Sequence, residues 1–462
     1  MRVNTNMPAL NAYAAVTRVQ SRIATSSIRL STGQRINNAA DNAAGRAISN
    51  KLRIQIRGLD SASQNSSNAV SAVQTAEGAL NEIHSMLHRI RELAVSASNQ
   101  TNTPEDAQIM QLEINQLIEE INATARNSDF NRIRLLNGAA DRIINSSSAD
   151  ILRISDNIPN ATFSFDLITQ ATHSQVTSTG GPGGFAPSDG VVNINGIPLR
   201  IAAGTTVDEA FDELRRVAEF SGLVVEASVV ATQVFDTITS SISGSEYPII
   251  IESNNAALLG WLGLTAGTTA GLDAEIVVHT QPAHPNSPLS ANTTVSASGN
   301  RVTIRDNDGR IIVADIRPDL APGANIELMT LREGALFVQI GANQGDEMLV
   351  RIPRVNAATI GIDRLNVGSL ALAQMAIGQA QAAIEHVSHI RANLGAYQNR
   401  IEFTISSVDS SKENTTVSLS RIVDTDIAYE MIVYSKKNVL LQAGLAIIAQ
   451  ANQRPQSILQ LI

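Results

Sequence analysis

Apolar residues recur every seven positions in a long stretch near the end of the chain, between residues 370 and 408. The first position of this heptad holds Ala373, Ala380, Val387, Leu394, Ile401 and Val408. A second position is filled in part by Ile377, Ile384 and Ile405. A seven-residue apolar repeat keeps one seam of a helix facing a partner helix. A single helix here is about 57 Å long at about 1.5 Å per residue, so it needs partner helices of similar length.

The N-terminal half of the chain supplies such partners. Its clearest coiled-coil stretch alternates steps of three and four, through Val73, Ala76, Leu80, Ile83, Leu87, Ile90 and Ala94. Residues 100–104 end this helix, and Pro104 suits the first turn of the next one. That next helix repeats the seam spacing at Met110, Ile114, Leu117, Ile121 and Thr124. The two ends of the chain are therefore predicted to pair as long helices.

Residues 1–35 predict an amphipathic helix whose charged side chains are all basic. Its apolar stripe consists of Val16, Val19, Ile23 and Leu30. A basic helix can lie on a membrane surface, but this one is rich in Asn, Ser and Thr. It also lacks the Trp and Phe side chains that anchor such helices, so no membrane is expected as a partner. Residues 31–46 then predict a turn or a loosely helical connector.

The chain changes character between residues 140 and 365, which contain 11 of its 14 prolines. Long helices cannot continue through so many prolines, and short β patterns replace them. Residues 301–305 and 310–315 flank the turn sequence Asp-Asn-Asp-Gly at 306–309, which predicts a hairpin. Strands are also predicted at residues 191–201 and 224–230, around a short helix near 206–220, with a flexible loop at 180–184.

The C-terminal tail carries apolar residues that have no obvious partner within it. They are Val439, Leu440, Leu445, Ile447, Ile448, Ile458, Leu459, Leu461 and Ile462. Asp424, Asp426 and Glu430 are opposite in charge to residues 1–35. Exposed apolar surface of this extent indicates an interaction site or a segment that folds on assembly.

Composition argues against several classes of function. The net charge of −9 and the absence of a basic block with interleaved aromatics make nucleic acid an unexpected partner. The chain has no cysteine, which rules out disulfides, thiolate metal sites and cysteine nucleophiles. Residues 1–10 lack the apolar core of a signal peptide, and the apolar stretch 439–451 is too short to cross a bilayer. A secreted protein of this kind is expected to use another export route.

No pattern in the chain predicts catalysis or a cofactor. His84 and His88 are four residues apart and His386 and His389 three apart, and such pairs can bind a metal ion. No cysteine or His-Glu-x-x-His sequence completes either site, so surface or seam histidines are favoured and no metal is expected. Residues 306–309 match a calcium loop weakly and fit a plain hairpin better.

Both ends of the sequence resemble the bacterial flagellin family, over about residues 1–140 and 366–462. The N-terminal matches are residues 1–11 (MRVNTNMPALN), 30–45 (LSTGQRINNAADNAAG), 55–59 (QIRGL), 74–82 (QTAEGALNE) and 91–95 (RELAV). The C-terminal matches are residues 420–426 (SRIVDTD) and 449–461 (AQANQRPQSILQL). Residues 192–197 (VNINGI) are similar to the start of a β-β-α element found in flagellin and hook-associated insertions.

The resemblance implies an α+β fold in which long paired N- and C-terminal helices form a coiled-coil rod that carries a β-rich insertion. Residues 1–40 and 415–462 are expected to form an inner paired-helix assembly domain. Residues 41–140 and 366–414 are expected to form the helical rod domain. Residues 141–365 are expected as an outer variable insertion with two subdomains, at about 141–270 and 271–365.

The resemblance also implies a function. The chain is expected to be a structural subunit, not an enzyme, that polymerises with copies of itself into the extracellular bacterial flagellar filament for swimming motility. Export unfolded through the flagellar type III channel is expected. Other expected partners are the flagellar cap, hook-associated proteins and an export chaperone that binds the C-terminal tail. The alternatives are a hook–filament junction protein and a filament subunit with an adhesive outer domain.

Two sets of site residues follow from the resemblance. Assembly contacts are expected from Leu10, Val16, Val19, Ile23, Leu30, Val439, Leu440, Leu445, Ile448, Leu459 and Leu461. The patch read by the animal Toll-like receptor that senses flagellin is matched by Leu87, Arg89, Glu92, Leu93 and Glu113. His88 departs from the glutamine that is usual in that patch.

Overall fold

The computed structural model describes residues 6–146, 148–155, 158–159, 161–181, 183–227, 233–280, 289–290, 292–331 and 334–459. Within them the chain forms two compact units. The first contains the described parts of residues 1–68, 338–348 and 401–462. The second contains the described parts of residues 69–337 and 349–400.

The helices are α1 (Met7–Thr32), α2 (Ala43–Ala97), α3 (Pro104–Asn127), α4 (Val207–Phe220), α5 (Ala256–Leu262), α6 (Ala357–Ile360), α7 (Leu370–Val423) and α8 (Ile427–Leu459). The strands that precede α5 are β1 (Asp129–Phe130), β2 (Ile133–Arg134), β3 (Ile144–Ser146), β4 (Ala149–Ile154), β5 (Thr162–Thr169), β6 (His173–Thr177), β7 (Gly190–Ile194), β8 (Ile197–Ile201), β9 (Leu223–Ala227), β10 (Phe235–Ser243) and β11 (Ile249–Glu252). The remaining strands are β12 (Gly267–Thr269), β13 (Glu275–Val278), β14 (Thr294–Ser298), β15 (Arg301–Arg305), β16 (Ile311–Ile316), β17 (Asn325–Thr330), β18 (Leu336–Gln339) and β19 (Glu347–Val350).

In the first unit α1 and α8 lie antiparallel. The side-chain amide of Asn6 donates to the Ala451 carbonyl at 2.9 Å, which joins the start of α1 to the far end of α8. Asn6 also caps α1 by accepting a hydrogen bond from the Ala9 N–H. Gly33 ends α1 in the left-handed conformation with φ 68°, which costs glycine little. The predicted N-terminal helix and its connector are therefore present, and the connector spans residues 33–42.

The predicted heptad of α7 is confirmed at its first position. All six residues there, from Ala373 to Val408, are buried. The second position, predicted at Ile377, Ile384 and Ile405, is confirmed as buried only at Ile384. Buried residues lie three places after the first position, at Ala376, Ala383 and Ile390, whereas Ile377 and Ile405 are only half-buried. Ile384 is buried too, at 8% exposure. A coiled-coil seam advances by three and then four residues, and the buried Ala376, Ala383 and Ile390 fit this spacing.

The seam predicted in α2 is fully buried. Val73, Ala76, Leu80, Ile83, Leu87, Ile90 and Ala94 are each at most 1% exposed. In α3, Ile114 and Ile121 are buried, and the other three predicted seam residues are half-buried. Thr103 and Asp106 form a capping box ahead of this helix, with Pro104 in its first turn. These segments of α2 and α3 belong to the second unit, as does α7 up to residue 400.

The β-rich middle of the second unit contains two hydrophobic cores. One is built from β6–β12 with α4 and α5 and centres on Phe235, Leu214 and Trp261. The other centres on Phe163, Phe165 and Ile326. Strand β5 pairs antiparallel with both β13 and β17, so residues 144–169 share a core with residues 275–330. The first core is thus inserted within the second, which differs from a consecutive split near residue 270.

Local β predictions agree with the structure. Strands β7 and β8 form a hairpin through Asn195 and Gly196, which both have positive φ, and α4 follows as expected. Strands β15 and β16 flank the Asp306–Gly309 turn. The Asp306 side chain accepts hydrogen bonds from the Ser290 N–H and from Arg310, so its carboxylate is engaged within the protein. Residues 228–230 of the predicted strand at 224–230 lie outside the described residues.

Candidate assembly surface

The facing sides of α1 and α8 hold most of the predicted N-terminal stripe. Val16 is buried, and Val19, Ile23 and Leu30 are half-buried. Gly444 of α8 faces Val16 so closely that a Cβ at Gly444 would lie 2.6 Å from Val16 Cγ2. The helices therefore approach through a position where only glycine fits without movement.

A buried polar cluster lies in the same interface. Ser26 is fully buried, and its Oγ donates to the carboxylate of Glu430, which is 6% exposed. Lys437 Nζ donates to Ser26 Oγ at 2.6 Å and to the Arg22 carbonyl at 3.3 Å. Arg29 approaches the other Glu430 oxygen at 3.9 Å. Sequence reasoning missed Ser26 and Lys437, although Ser26 lies seven residues after Val19 and is a polar residue in an apolar stripe.

The opposite face of this helix pair is apolar and exposed. On α1 the large exposed side chains are Met7, Leu10, Tyr13 and Ile28. On α8 they are Ile427, Tyr429, Met431, Ile432, Val439, Leu440, Leu445 and Ile447. Leu10 is 60% exposed, Val439 64%, Leu440 50% and Leu445 54%. Single exposed apolar residues are ordinary, but a set this large on two adjacent helices marks an interaction surface.

The predicted assembly residues therefore fall into two groups. The first group is buried or half-buried where α1 and α8 pair within the chain. It consists of Val16, Val19, Ile23, Leu30 and Ile448. Leu10, Val439, Leu440 and Leu445 face outward. The side chain of Leu459, and Leu461 as a whole, lie outside the described residues.

The break between α1 and α2 lies beside the break between α7 and α8. The Arg35 N–H donates to the Val423 carbonyl at 2.7 Å, and the Thr425 N–H donates to the Gly33 carbonyl at 2.9 Å. The Arg35 guanidinium also reaches the Ile422 carbonyl at 2.8 Å, where it satisfies an end of α7. In the connector, backbone N–H groups of Asn38 and Asn37 bond the Asp41 carboxylate and lower its pKa.

The predicted receptor patch lies on α2 and α3 of the second unit. Arg89 Nε is 2.7 Å from Glu113 Oε1, and an Arg89 terminal nitrogen is 3.4 Å from Glu92. The hydrogen bond to Glu113 is the main reason that the pKa of Arg89 is raised. Leu87 and Leu93 are buried, at 0% and 6% exposure, so they pack the seam beneath these charged residues.

Two family descriptions match the helical ends of the chain. The bacterial flagellin N-terminal helical region matches residues 3–141, and the bacterial flagellin C-terminal helical region matches residues 377–462. A flagellin of Clostridium tyrobutyricum is 33% identical over 99% of this chain and 100% of its own length. This chain belongs to the bacterial flagellin family.

A second flagellin agrees with this assignment. Flagellin A of Vibrio cholerae serotype O1 is 30% identical to this flagellin over 100% of the chain and 99% of its own length. The solved structure of FliC from Burkholderia pseudomallei is 16% identical, covers 72% of this chain and 99% of its own, and has a TM-score of 0.24.

Family membership confirms the main predictions. This flagellin is a structural subunit that polymerises with copies of itself into the extracellular filament of the bacterial flagellum, and it is not an enzyme. The α+β fold with long paired terminal helices and a β-rich insertion is confirmed as well. The family assignment favours the filament subunit over a hook–filament junction protein. In the described part of the chain, no helix is both long and apolar enough to cross a membrane.

Proposed function

We propose that the outward apolar face of α1 and α8 is the surface through which neighbouring flagellin subunits join in the filament. The observation that supports this proposal is that large apolar side chains on both helices stay exposed although the helices pair with each other. Burying a leucine of this kind is worth about 2 kcal/mol, less the cost of ordering it. Several such residues per subunit can hold a polymer together.

This proposal extends to the layers of the filament. Residues 1–40 and 415–462 form the inner paired-helix layer, and residues 41–140 and 366–414 form the helical rod layer. The outer layer is formed within residues 141–365, apart from residues 338–348, which belong to the first compact unit. The prolines and short strands of that middle region support its separate role, because they interrupt the long helices on which the lattice depends.

Substitution of Leu440 tests the assembly face. Leu440→Ser should leave the helical content of the monomer unchanged and raise the critical concentration for polymerisation about 30-fold, since about 2 kcal/mol of burial is lost. The matched control is Lys436→Ser, at another exposed position of α8. Sedimentation of polymer from monomer at graded concentrations measures both variants. Equal critical concentrations for the two variants would refute the assembly role of this face.

The same exposed face supports a proposal about partners before assembly. The chain leaves the cell unfolded through the flagellar type III channel, and an export chaperone covers the apolar residues of α8 until then. At the filament ends the cap and the hook-associated proteins meet the same helices. Chaperone binding that survives removal of residues 427–462 would contradict this use of α8.

The charged patch on α2 and α3 supports a second proposed role, recognition by the flagellin-sensing Toll-like receptor. Arg89 and Glu113 are accessible, with side chains 51% and 42% exposed, and Glu92 lies beside them. The buried Leu87 and Leu93 hold the two helices in place. Arg89→Gln should reduce activation of receptor-bearing cells by purified monomer, while Arg91→Gln, an exposed neighbour, should not. Equal activation by the two variants would remove this role.

A further inference from the structure

Two histidines of α2 lie one helical turn apart on the surface of the second unit. His84 is half-buried and His88 is exposed. Their Nε2 atoms are 3.1 Å apart, and the two rings meet edge to face with centroids 4.6 Å apart. The spacing of four residues places both side chains on one face of a helix. The assembly face uses neither histidine, whereas His88 stands at the receptor-patch position that usually holds a glutamine.

The separation of the two nitrogens fits a shared metal ion. A zinc–imidazole bond is about 2.0–2.1 Å long, so two such nitrogens are about 3.3 Å apart at a tetrahedral angle and about 2.9 Å apart at a right angle. The observed 3.1 Å falls between these values. Helical zinc sites of metalloproteases likewise take two histidines four residues apart. A cation could therefore enter between the rings with little movement of either side chain.

The two Nε2 atoms share one hydrogen bond in the structure, which a cation bound between them would replace. Burial, then His88 and then Arg391 of α7 lower the pKa of His84, so this imidazole is neutral at neutral pH. Arg391 opposes a nearby cation, but it lies 3.4 Å from the carboxylate of Glu77, which offsets part of its charge. A neutral imidazole is the form that binds metal, so no proton need leave His84 first.

We propose that His84 and His88 form a two-imidazole binding site for a late first-row divalent cation, with water in the remaining coordination positions. Among the described residues no group of three or more His, Asp or Glu side chains is placed to hold a metal, so these two are the protein ligands. Imidazole nitrogens favour copper, nickel and zinc over magnesium and calcium. The Irving–Williams order then makes Cu²⁺ the tightest of these. Sequence spacing alone did not favour a metal; the closeness of the two nitrogens does.

Calorimetric titration of the full-length monomer with copper(II), zinc and magnesium chloride tests this site. Wild-type protein should bind one more equivalent of Cu²⁺ than the double variant His84→Gln/His88→Gln, which corrects for any other copper-binding group. Zinc should bind more weakly and magnesium should show no difference. Each single variant should weaken Cu²⁺ binding at this site at least tenfold. His389→Gln, an exposed histidine on α7, is the matched control and should bind as wild type does.

A second measurement identifies the ligands directly. Electron paramagnetic resonance of the Cu²⁺-loaded protein should show two equatorial nitrogens in wild type and one in each single variant. Circular dichroism should show that all variants keep their helical content, so that a loss reflects missing ligands. The proposal is overturned if the double variant binds as many equivalents as wild type, or if His389→Gln loses the site.

Discussion

Replacing His386 with glutamine should remove a large part of the acid sensitivity of the second unit. His386 lies on α7, half-buried beside a polar cavity of about 370 Å³ that Arg153 and Arg354 also line. Burial is the largest cause that lowers its pKa, followed by the charge of Arg153 and then by His389, and together they bring it to about 4. The folded protein thus holds this imidazole neutral, whereas the unfolded chain exposes it with a pKa of about 6.5.

This difference in pKa sets the direction and the size of the pH effect on the free energy of unfolding. Because the folded pKa is the lower one, the stabilisation is fully present above pH 6.5 and is lost as the pH falls toward 4. The interval from 6.5 to about 4, at about 1.36 kcal/mol for each pH unit, corresponds to roughly 3.4 kcal/mol in total. About 2 kcal/mol of this should already be lost at pH 5. Carboxylates that titrate below pH 5 add their own loss of stability only at lower pH.

Urea unfolding of the monomer at pH 7.5 and pH 5.0 measures the effect. Between these two conditions, the wild-type free energy of unfolding should fall by about 2 kcal/mol more than that of His386→Gln. His173→Gln, at an exposed position of β6, controls for a histidine substitution as such and should follow wild type. If His386→Gln loses as much stability as wild type over this range, the buried neutral imidazole is not the acid-sensitive group.

Further substitutions test the packing of each unit. Leu80→Ala empties a fully buried position in the seam of α2 and should lower the free energy of unfolding by about 2–5 kcal/mol, while the exposed Glu82→Ala should change it little in the same urea experiment. Gly444→Ala gains about 1 kcal/mol of helix propensity but brings a Cβ within 2.6 Å of Val16, so it should impair polymerisation despite that gain. Adding Val16→Ala to Gly444→Ala should restore polymerisation measured by sedimentation, and no restoration would mean that this contact is not the cause.

The helical seams were predictable because their information is local. Steps of three and four in α2 identify Leu80, Ile83 and Leu87 as buried without any knowledge of the partner helix. The second position of α7 was predicted less well, because its larger isoleucines Ile377 and Ile405 are only half-buried. Coiled-coil geometry selects position over size, and it places Ala376 and Ala383 in the seam.

In the β-rich middle as well, local turns could be predicted from the sequence and long-range strand pairings could not. Each of two hairpin turns is specified by a few adjacent residues, so both could be predicted from the sequence. They are Asn195-Gly196 and Asp306–Gly309. The pairing of Phe165 with Ile326 joins strands far apart in the chain. No local pattern specifies such a pair, and the nesting of one core within the other therefore appears only in the folded chain.

The polar cluster between α1 and α8 has a consequence for the outward face of the same helices. Ser26, Glu430 and Lys437 can meet in only one register, because sliding either helix would leave a buried charge without its partner. The contact of Val16 with Gly444 favours the same register, because only glycine fits opposite Val16 without movement. A repeating lattice needs every subunit to present the same spacing of exposed residues on both helices. We infer that the buried polar contacts fix that spacing within each chain, and that the exposed apolar residues can then be matched from one subunit to the next.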